Sequence, residues 1–133
     1  MNDMDIRWKQ RFQNFEKALN HLEAALKIEN PDIIQRAGLI QFFEMSFELG
    51  WNTLKDYLES MGFVDINSPR ASIKKAFEIQ LIENGHVWLK ALEDRNLTTH
   101  AYDEETIKQI VDLIRCDYYP LLNALNNTMK TKI

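Results

Sequence analysis

The chain has 133 residues, of which 45% are hydrophobic and only four are glycine and three proline, so length and composition favour one all-α domain with one buried core. The formal net charge of −4 argues against a protein that coats nucleic acid indiscriminately, because such proteins are normally basic. The single cysteine excludes an internal disulfide, and because the sequence shows neither a signal peptide nor a membrane span, we expect a cytoplasmic protein.

Two long amphipathic helices are predicted in the first half of the chain, where apolar residues recur at steps of three and four. The first covers residues 4–28, and the second covers residues 31–61 with Asn30 as its cap and Pro31 at its first position. The predicted apolar stripes are Trp8, Phe12, Phe15, Leu19, Leu22 and Leu26 in the first helix, and Ile40, Phe43, Phe47, Trp51, Leu54, Leu58 and Met61 in the second. Each stripe should face the core of a helical bundle.

Two glycines, Gly38 and Gly50, lie inside the second predicted helix. A glycine in a helix interior costs about 1 kcal/mol relative to alanine. We therefore expect a neighbouring helix to approach the chain closely at both positions.

Two shorter helices are predicted after the second. The third helix covers residues 69–82, begins with the cap Ser68 and a first-turn proline, and ends at the Asn84-Gly85 dipeptide. The fourth helix covers residues 86–97.

The last predicted helix begins after the cap Asp103 and has acidic residues in its first turn, where the helix dipole favours them. Pro120 should kink or split this helix after Tyr119. These elements predict an all-α, up-and-down antiparallel bundle of four to five helices, with residues 1–133 forming a single domain.

The junction between the fourth and fifth predicted helices reads R-N-L-T-T-H-A-Y, from Arg95 to Tyr102. On one continuous helix Arg95 and His100 would point about 140° apart, but a frayed turn through the two threonines would bring them together. Arginine offers a permanent planar cation for a phosphate, and histidine, with an ordinary pKa of about 6.5, exchanges a proton near neutral pH. Such a pair could cleave RNA without a metal ion, with the histidine moving the proton and the arginine stabilising the charge on the phosphate.

The same residues also fit purely structural roles. Arg95 could pair with a neighbouring carboxylate such as Asp94, and His100 could be a loop histidine bonded to a carbonyl group. Tyr102 precedes the helix cap and could pack on Ile107 as a hydrophobic staple. Residue types alone therefore leave both explanations open.

The junction is an R-x4-H-x-Y motif, and it resembles the signature of HEPN-domain proteins, in particular the HepT group, also called nucleotidyltransferase substrate-binding proteins. Three further blocks resemble that family in the same order along the chain. They are F-E-M-S-F-E-L-G-W-N-T-L-K-D-Y-L at residues 43–58, S-P-R-A-S-I-K-K-A-F from Ser68, and Y-Y-P-L-L from Tyr118. The resemblance therefore covers nearly the whole chain.

The resemblance implies a homodimer whose two R-x4-H motifs meet across a cleft, and a ribonuclease toxin of a type VII-like toxin–antitoxin pair. The partner would be a cognate MntA-like nucleotidyltransferase, which attaches AMP to the tyrosine of the motif (AMPylation) and silences the nuclease. Carried over residue by residue, Arg95 and His100 would be catalytic, Tyr102 would be the modification site, and Asn96 would orient phosphate or backbone. The expected ligand is RNA or a nucleotide, with neither DNA nor a membrane as partner.

Glu44, Glu48, Trp51 and Lys55 follow one another at steps of four, three and four, so they share one face of the second predicted helix. The two glutamates and the tryptophan could orient the arginine or the histidine of the motif, and Asp94, directly before the motif, joins them as a supporting residue. A solvated edge with a Glu48–Lys55 pair, or simple salt bridges between helices, explains the same pattern.

The sequence lacks zinc-ligand spacing, a glycine-rich phosphate loop and a dinucleotide fingerprint, so we expect no metal and no cofactor. It also lacks the paired-aspartate motif with which nucleotidyltransferases hold magnesium, so it should not transfer nucleotides itself. The resemblance, together with the chemistry of the motif, favours a metal-independent ribonuclease toxin. The alternative, which the acidic net charge suits, is a non-catalytic subunit that binds a nucleotide or substrate for a separate nucleotidyltransferase.

Overall fold

The computed structural model of the protein describes residues 3–95 and 103–133, and this part of the chain folds into helices without strands. The helices are α1 (Asp3–Leu26), α2 (Ile33–Ser60), α3 (Pro69–Glu78), α4 (Gly85–Asp94), α5 (Glu104–Leu113) and α6 (Tyr119–Lys130), and a π-helical segment, Ile114–Tyr118, joins α5 to α6. The predicted all-α helical bundle is therefore confirmed. Within these ranges no helix is both long and apolar enough to cross a membrane.

The helices α1 and α2 pack against each other and supply the largest part of the core. The predicted stripe of α1 is buried except for Leu26, which is partly buried. The predicted stripe of α2 is buried as far as Leu58, but Met61 is exposed because the helix ends at Ser60. Full burial of one large apolar side chain contributes about 1.5–3 kcal/mol, so these two stripes hold the helix pair together.

The start of α2 differs from the prediction, because Asp32 rather than Asn30 caps the helix. The Asp32 carboxylate accepts the backbone N–H of Gln35 over 2.8 Å, and the Gln35 side chain accepts the backbone N–H of Asp32 over 2.9 Å. Asn30 instead has a φ of 49°, in the left-handed region, and Pro31 precedes the helix. The reciprocal bonds satisfy two donors that a helix start leaves unpaired, which favours Asp32 as the cap.

The third helix begins where it is predicted and ends earlier. Ser68 caps α3 and its hydroxyl accepts a backbone N–H over 3.1 Å. The helix ends at Glu78, because Gln80 adopts a left-handed φ of 64°. The predicted terminator of α3 starts the next helix instead: Asn84 has a φ of 55°, and α4 begins at Gly85.

The two glycines of α2 have opposite surroundings. A Cβ atom on Gly50 would lie 3.1 Å from Cε1 of Phe15 and 3.5 Å from Cδ2 of Leu122 and of Leu125, so α1 and α6 approach α2 closely there, as predicted. A Cβ atom on Gly38 would meet no atom of the described residues within 4 Å, so the close approach predicted at Gly38 is wrong.

The C-terminal helix is divided near Pro120, but before Tyr119 and not after it as predicted, since α6 begins at Tyr119 and includes Pro120. Proline has no N–H to donate, and the residues before it form a π turn in which the N–H of Tyr119 bonds to the carbonyl of Ile114. The π turn separates α5 from α6, and the three segments follow one another without a gap from Glu104 to Lys130. In this segment Ile114 and Tyr118 are buried, while the residues between them are exposed.

Candidate functional site

The R-x4-H-x-Y motif begins at Arg95, directly after the last residue of α4. The backbone N–H of Arg95 bonds to the carbonyl of Ala91 over 3.0 Å, so Arg95 continues the last helical turn. Its Nη1 donates to Oε2 of Glu48 on α2 over 2.7 Å, and its Cζ lies 5.8 Å from the centre of the Phe47 ring. Two neighbouring side chains of α2 therefore orient one guanidinium at the end of α4.

The ion pair orients Arg95 more than it stabilises the fold. The Glu48 side chain is 54% exposed, and an ion pair with so exposed a partner contributes about 1 kcal/mol or less. The contact with the Phe47 ring adds roughly 0.5–1 kcal/mol. A guanidinium carries five N–H donors in a planar fork that suits a phosphate, and a bond from Nη1 to a carboxylate is compatible with that use.

Asp94, the last residue of α4, accepts a hydrogen bond from the hydroxyl of Tyr118 in the π-helical segment. Tyr118 is 1% exposed, and its ring stacks on Phe43 of α2 with 5.4 Å between the ring centres. Burial and then the bond to Asp94 raise the pKa of Tyr118 above the usual range for tyrosine, so its hydroxyl remains a donor at neutral pH. The adjacent residues Asp94 and Arg95 are thus tied to two different elements of the bundle.

The predicted shared face of α2 contributes unequally to this site. Glu48 makes the arginine contact, and Glu44, one turn earlier, is partly buried, which raises the pKa of its carboxyl. Trp51 is 8% exposed, and its Nε1 has no hydrogen-bond partner within the described part of the chain. Lys55 pairs with Glu59 over 3.5 Å, in place of the Glu48–Lys55 pair considered from the sequence.

Asn96, His100 and Tyr102 lie outside the described residues. Asp103 follows them and caps α5 as predicted, because its carboxylate accepts the backbone N–H of Thr106 over 2.7 Å. This hydrogen bond lowers the pKa of Asp103. The rest of the motif is therefore bounded by the end of α4 and the capped start of α5.

A surface cleft of about 760 Å³ lies between α4 and the segment formed by the π turn and α6. It is lined by the buried Trp88 and Leu121 and by the exposed His86, Lys90 and Asp117, among others. These residues form no motif in the sequence, and only the packing of the helices brings them together. Neither here nor elsewhere in residues 3–95 and 103–133 do three His, Cys, Asp or Glu side chains cluster closely enough to hold a metal ion.

Comparison with known proteins identifies the family of the chain. A family model described as nucleotidyltransferase substrate binding protein like matches residues 10–131. A crystal structure of a protein from Thermus thermophilus is similar, with 32% sequence identity, a TM-score of 0.77, and coverage of 84% of this chain and 94% of that chain. A search of curated proteins found no match. Since the matched segment includes almost every helix described above, the chain belongs to the nucleotidyltransferase substrate binding protein like family.

Proposed function

We propose that the protein is a HepT-like, metal-independent ribonuclease and the toxin of a type VII-like toxin–antitoxin pair. The observation that carries this proposal is the Arg95 guanidinium, which Glu48 and Phe47 orient at the start of the R-x4-H-x-Y segment. The resemblance of that segment to the HEPN signature supports the nuclease. The family description supports an association with a nucleotidyltransferase.

In the proposed reaction, the 2′-oxygen of RNA attacks the adjacent phosphorus and the bond from phosphorus to the 5′-oxygen breaks. His100 takes the proton of the 2′-hydroxyl or delivers a proton to the leaving 5′-oxygen, so the products are a 2′,3′-cyclic phosphate and a 5′-hydroxyl. Arg95 stabilises the negative charge that builds on the phosphate oxygens, and Asn96 orients the phosphate or the backbone. Glu48 and Asp94 keep the end of α4 and its arginine in place.

The proposed active form is a cytoplasmic homodimer in which the motifs of two copies face one cleft. A phosphodiester in that cleft would meet two imidazoles, so that one could act as base while the other acts as acid. The buried Trp51 and the partly buried Glu44 on α2 would support the wall of this cleft beside Glu48.

Arg95→Ala should lower the rate of RNA cleavage about a hundredfold, because it removes a fixed cation from the charge that develops on the phosphate. The rate is measured with purified protein, labelled RNA and a chelator, and growth is scored during expression without the nucleotidyltransferase. The matched control is Arg115→Ala, which removes an exposed arginine that pairs with Asp112 over 3.7 Å and should cleave as the wild type does. Equal rates for the two variants would remove Arg95 from the mechanism, and a wild-type protein that cleaves no RNA would overturn the nuclease.

Tyr102 should carry one AMP group after incubation with the cognate nucleotidyltransferase, ATP and magnesium. The phenol oxygen attacks the α-phosphorus of ATP and pyrophosphate leaves, and the added anionic group blocks the neighbouring phosphate site. Tandem mass spectrometry locates the added mass, and Tyr102→Phe should stay unmodified and remain active in the presence of the partner. An AMP group on another residue, or none at all, contradicts this mode of silencing.

The family description also favours a second function, in which the protein binds a nucleotide or substrate for a separate nucleotidyltransferase and cleaves nothing. The net charge of −4 suits such a subunit better than it suits an RNA-binding enzyme. Toxicity during expression alone, lost in Arg95→Ala, supports only the nuclease. Nucleotide binding by calorimetry, without toxicity and without cleavage, supports the binding subunit.

A further inference from the structure

We propose that Tyr118 is a positioning residue of the arginine site: its hydroxyl holds Asp94 at the end of α4 and thereby sets the direction of the next residue, Arg95. Any effect of Tyr118 on RNA cleavage rests on the proposed function, whereas its effect on the end of α4 does not. Tyr118 would act through Asp94 and would not touch the substrate.

Tyr118 is itself a rigid support. Its side chain is buried, and its ring lies almost parallel to the Phe43 ring, with 16° between the two planes. A buried, stacked ring has few rotamers available, so its hydroxyl stays in one place. Asp94 therefore accepts its hydrogen bond from a fixed donor, and the last turn of α4 is anchored at that point.

The helical period explains why this tyrosine faces the core. Ile114 and Tyr118 are four residues apart and both are buried, whereas Arg115, Cys116 and Asp117 between them are exposed. Tyr118 is also the last residue of the π turn, in which the N–H of Tyr119 bonds to the carbonyl of Ile114. Such π turns are common at functional sites.

The helix α2 supports Tyr118 and the arginine on successive turns. Phe43 stacks on Tyr118, and Phe47, with 6.1 Å between the two phenylalanine ring centres, lies under the guanidinium of Arg95. Phe47 also packs on Trp88 of α4 with 5.7 Å between the ring centres. A movement of the end of α4 would therefore disturb the contacts of Phe47 with Arg95 and with Trp88. The hydrogen bond from Tyr118 to Asp94 opposes that movement.

The variant Tyr118→Phe removes the hydroxyl and keeps the stacked ring, and the next residue supplies a matched control. Tyr119 also donates its hydroxyl to a carboxylate, that of Glu23 on α1 over 2.6 Å, and burial and this bond raise its pKa to about 12. Tyr119→Phe therefore loses the same kind of hydrogen bond, but to a carboxylate of α1 and not of α4. The two variants are compared by melting temperature, by amide hydrogen exchange in the last turn of α4, and by the kcat and KM of RNA cleavage.

We expect faster exchange of the Arg95 amide in Tyr118→Phe only, together with a kcat about tenfold lower and a KM within twofold of the wild type. Tyr119→Phe should match the wild type in these readouts. Asp94→Asn, which keeps an acceptor for the tyrosine, should protect the amide better than Asp94→Ala. Equal exchange in the two tyrosine variants, or an equal loss of kcat, would overturn the positioning role. A wild-type protein without cleavage would refute the proposed function alone, and the exchange data would still decide the role of Tyr118.

Discussion

His100→Ala should lower the rate of RNA cleavage about a thousandfold, within the range that positioned general acid–base groups contribute. The reason is chemical, because the 2′-hydroxyl is a poor nucleophile until a base takes its proton, and alanine can neither take nor return one. The loss should appear in kcat, because the proton transfer belongs to the chemical step and not to substrate binding. Growth inhibition during expression without the partner should disappear as well.

The control for this variant is His86→Ala, which removes an exposed histidine of α4 that lines the separate surface cleft. Both variants should keep the helical circular dichroism and the melting temperature of the wild type. Cleavage products are resolved on a denaturing gel, and their termini are tested for a 2′,3′-cyclic phosphate. If His100→Ala cleaves as fast as His86→Ala, the imidazole of the motif has no part in the chemistry.

Helix caps could be predicted from the sequence where one polar residue stands directly before a helical run. Ser68 and Asp103 are such residues, and both cap their helices. Asn30 and Asp32 are both good caps by residue type, and the choice between them depends on Gln35, whose side chain closes the reciprocal pair with Asp32. A cap preference is local, but a reciprocal pair requires the geometry of both residues.

The site was predictable as a set of residues but not as a set of contacts. Periodicity placed Glu48 on one helix face with Trp51, and the motif marked Arg95. The bond between Glu48 and Arg95, however, joins residues 47 positions apart and depends on how the helices pack. Tyr118 lies four residues after the buried Ile114, so periodicity could have placed it on the core side, but its bond to Asp94 depends on how α4 packs against the π-helical segment. The roles of His100 and Tyr102 stay predictions.

Gly50→Leu should lower the free energy of unfolding by about 3 kcal/mol, near the upper end of what overpacking usually costs. The first added carbon alone would lie 3.1 Å from Cε1 of Phe15, closer than ordinary van der Waals contact, and the rest of the side chain would meet Leu122 and Leu125. Because these neighbours belong to α1 and α6, relief of the clash must move a helix rather than one side chain. Urea denaturation at a fixed protein concentration, followed by circular dichroism, measures the change.

Gly38→Ala, in the same helix, should have the opposite effect on the free energy of unfolding. A Cβ atom on Gly38 meets no atom of the described chain within 4 Å, so alanine should raise the free energy of unfolding by about 1 kcal/mol, the difference in helix propensity. The two glycines look alike in sequence, so opposite signs of the effect would show that packing against α1 and α6, rather than propensity, explains Gly50. A loss of stability in Gly38→Ala would instead mean that a surface other than the described residues approaches α2 at Gly38, as the second copy of the proposed homodimer could.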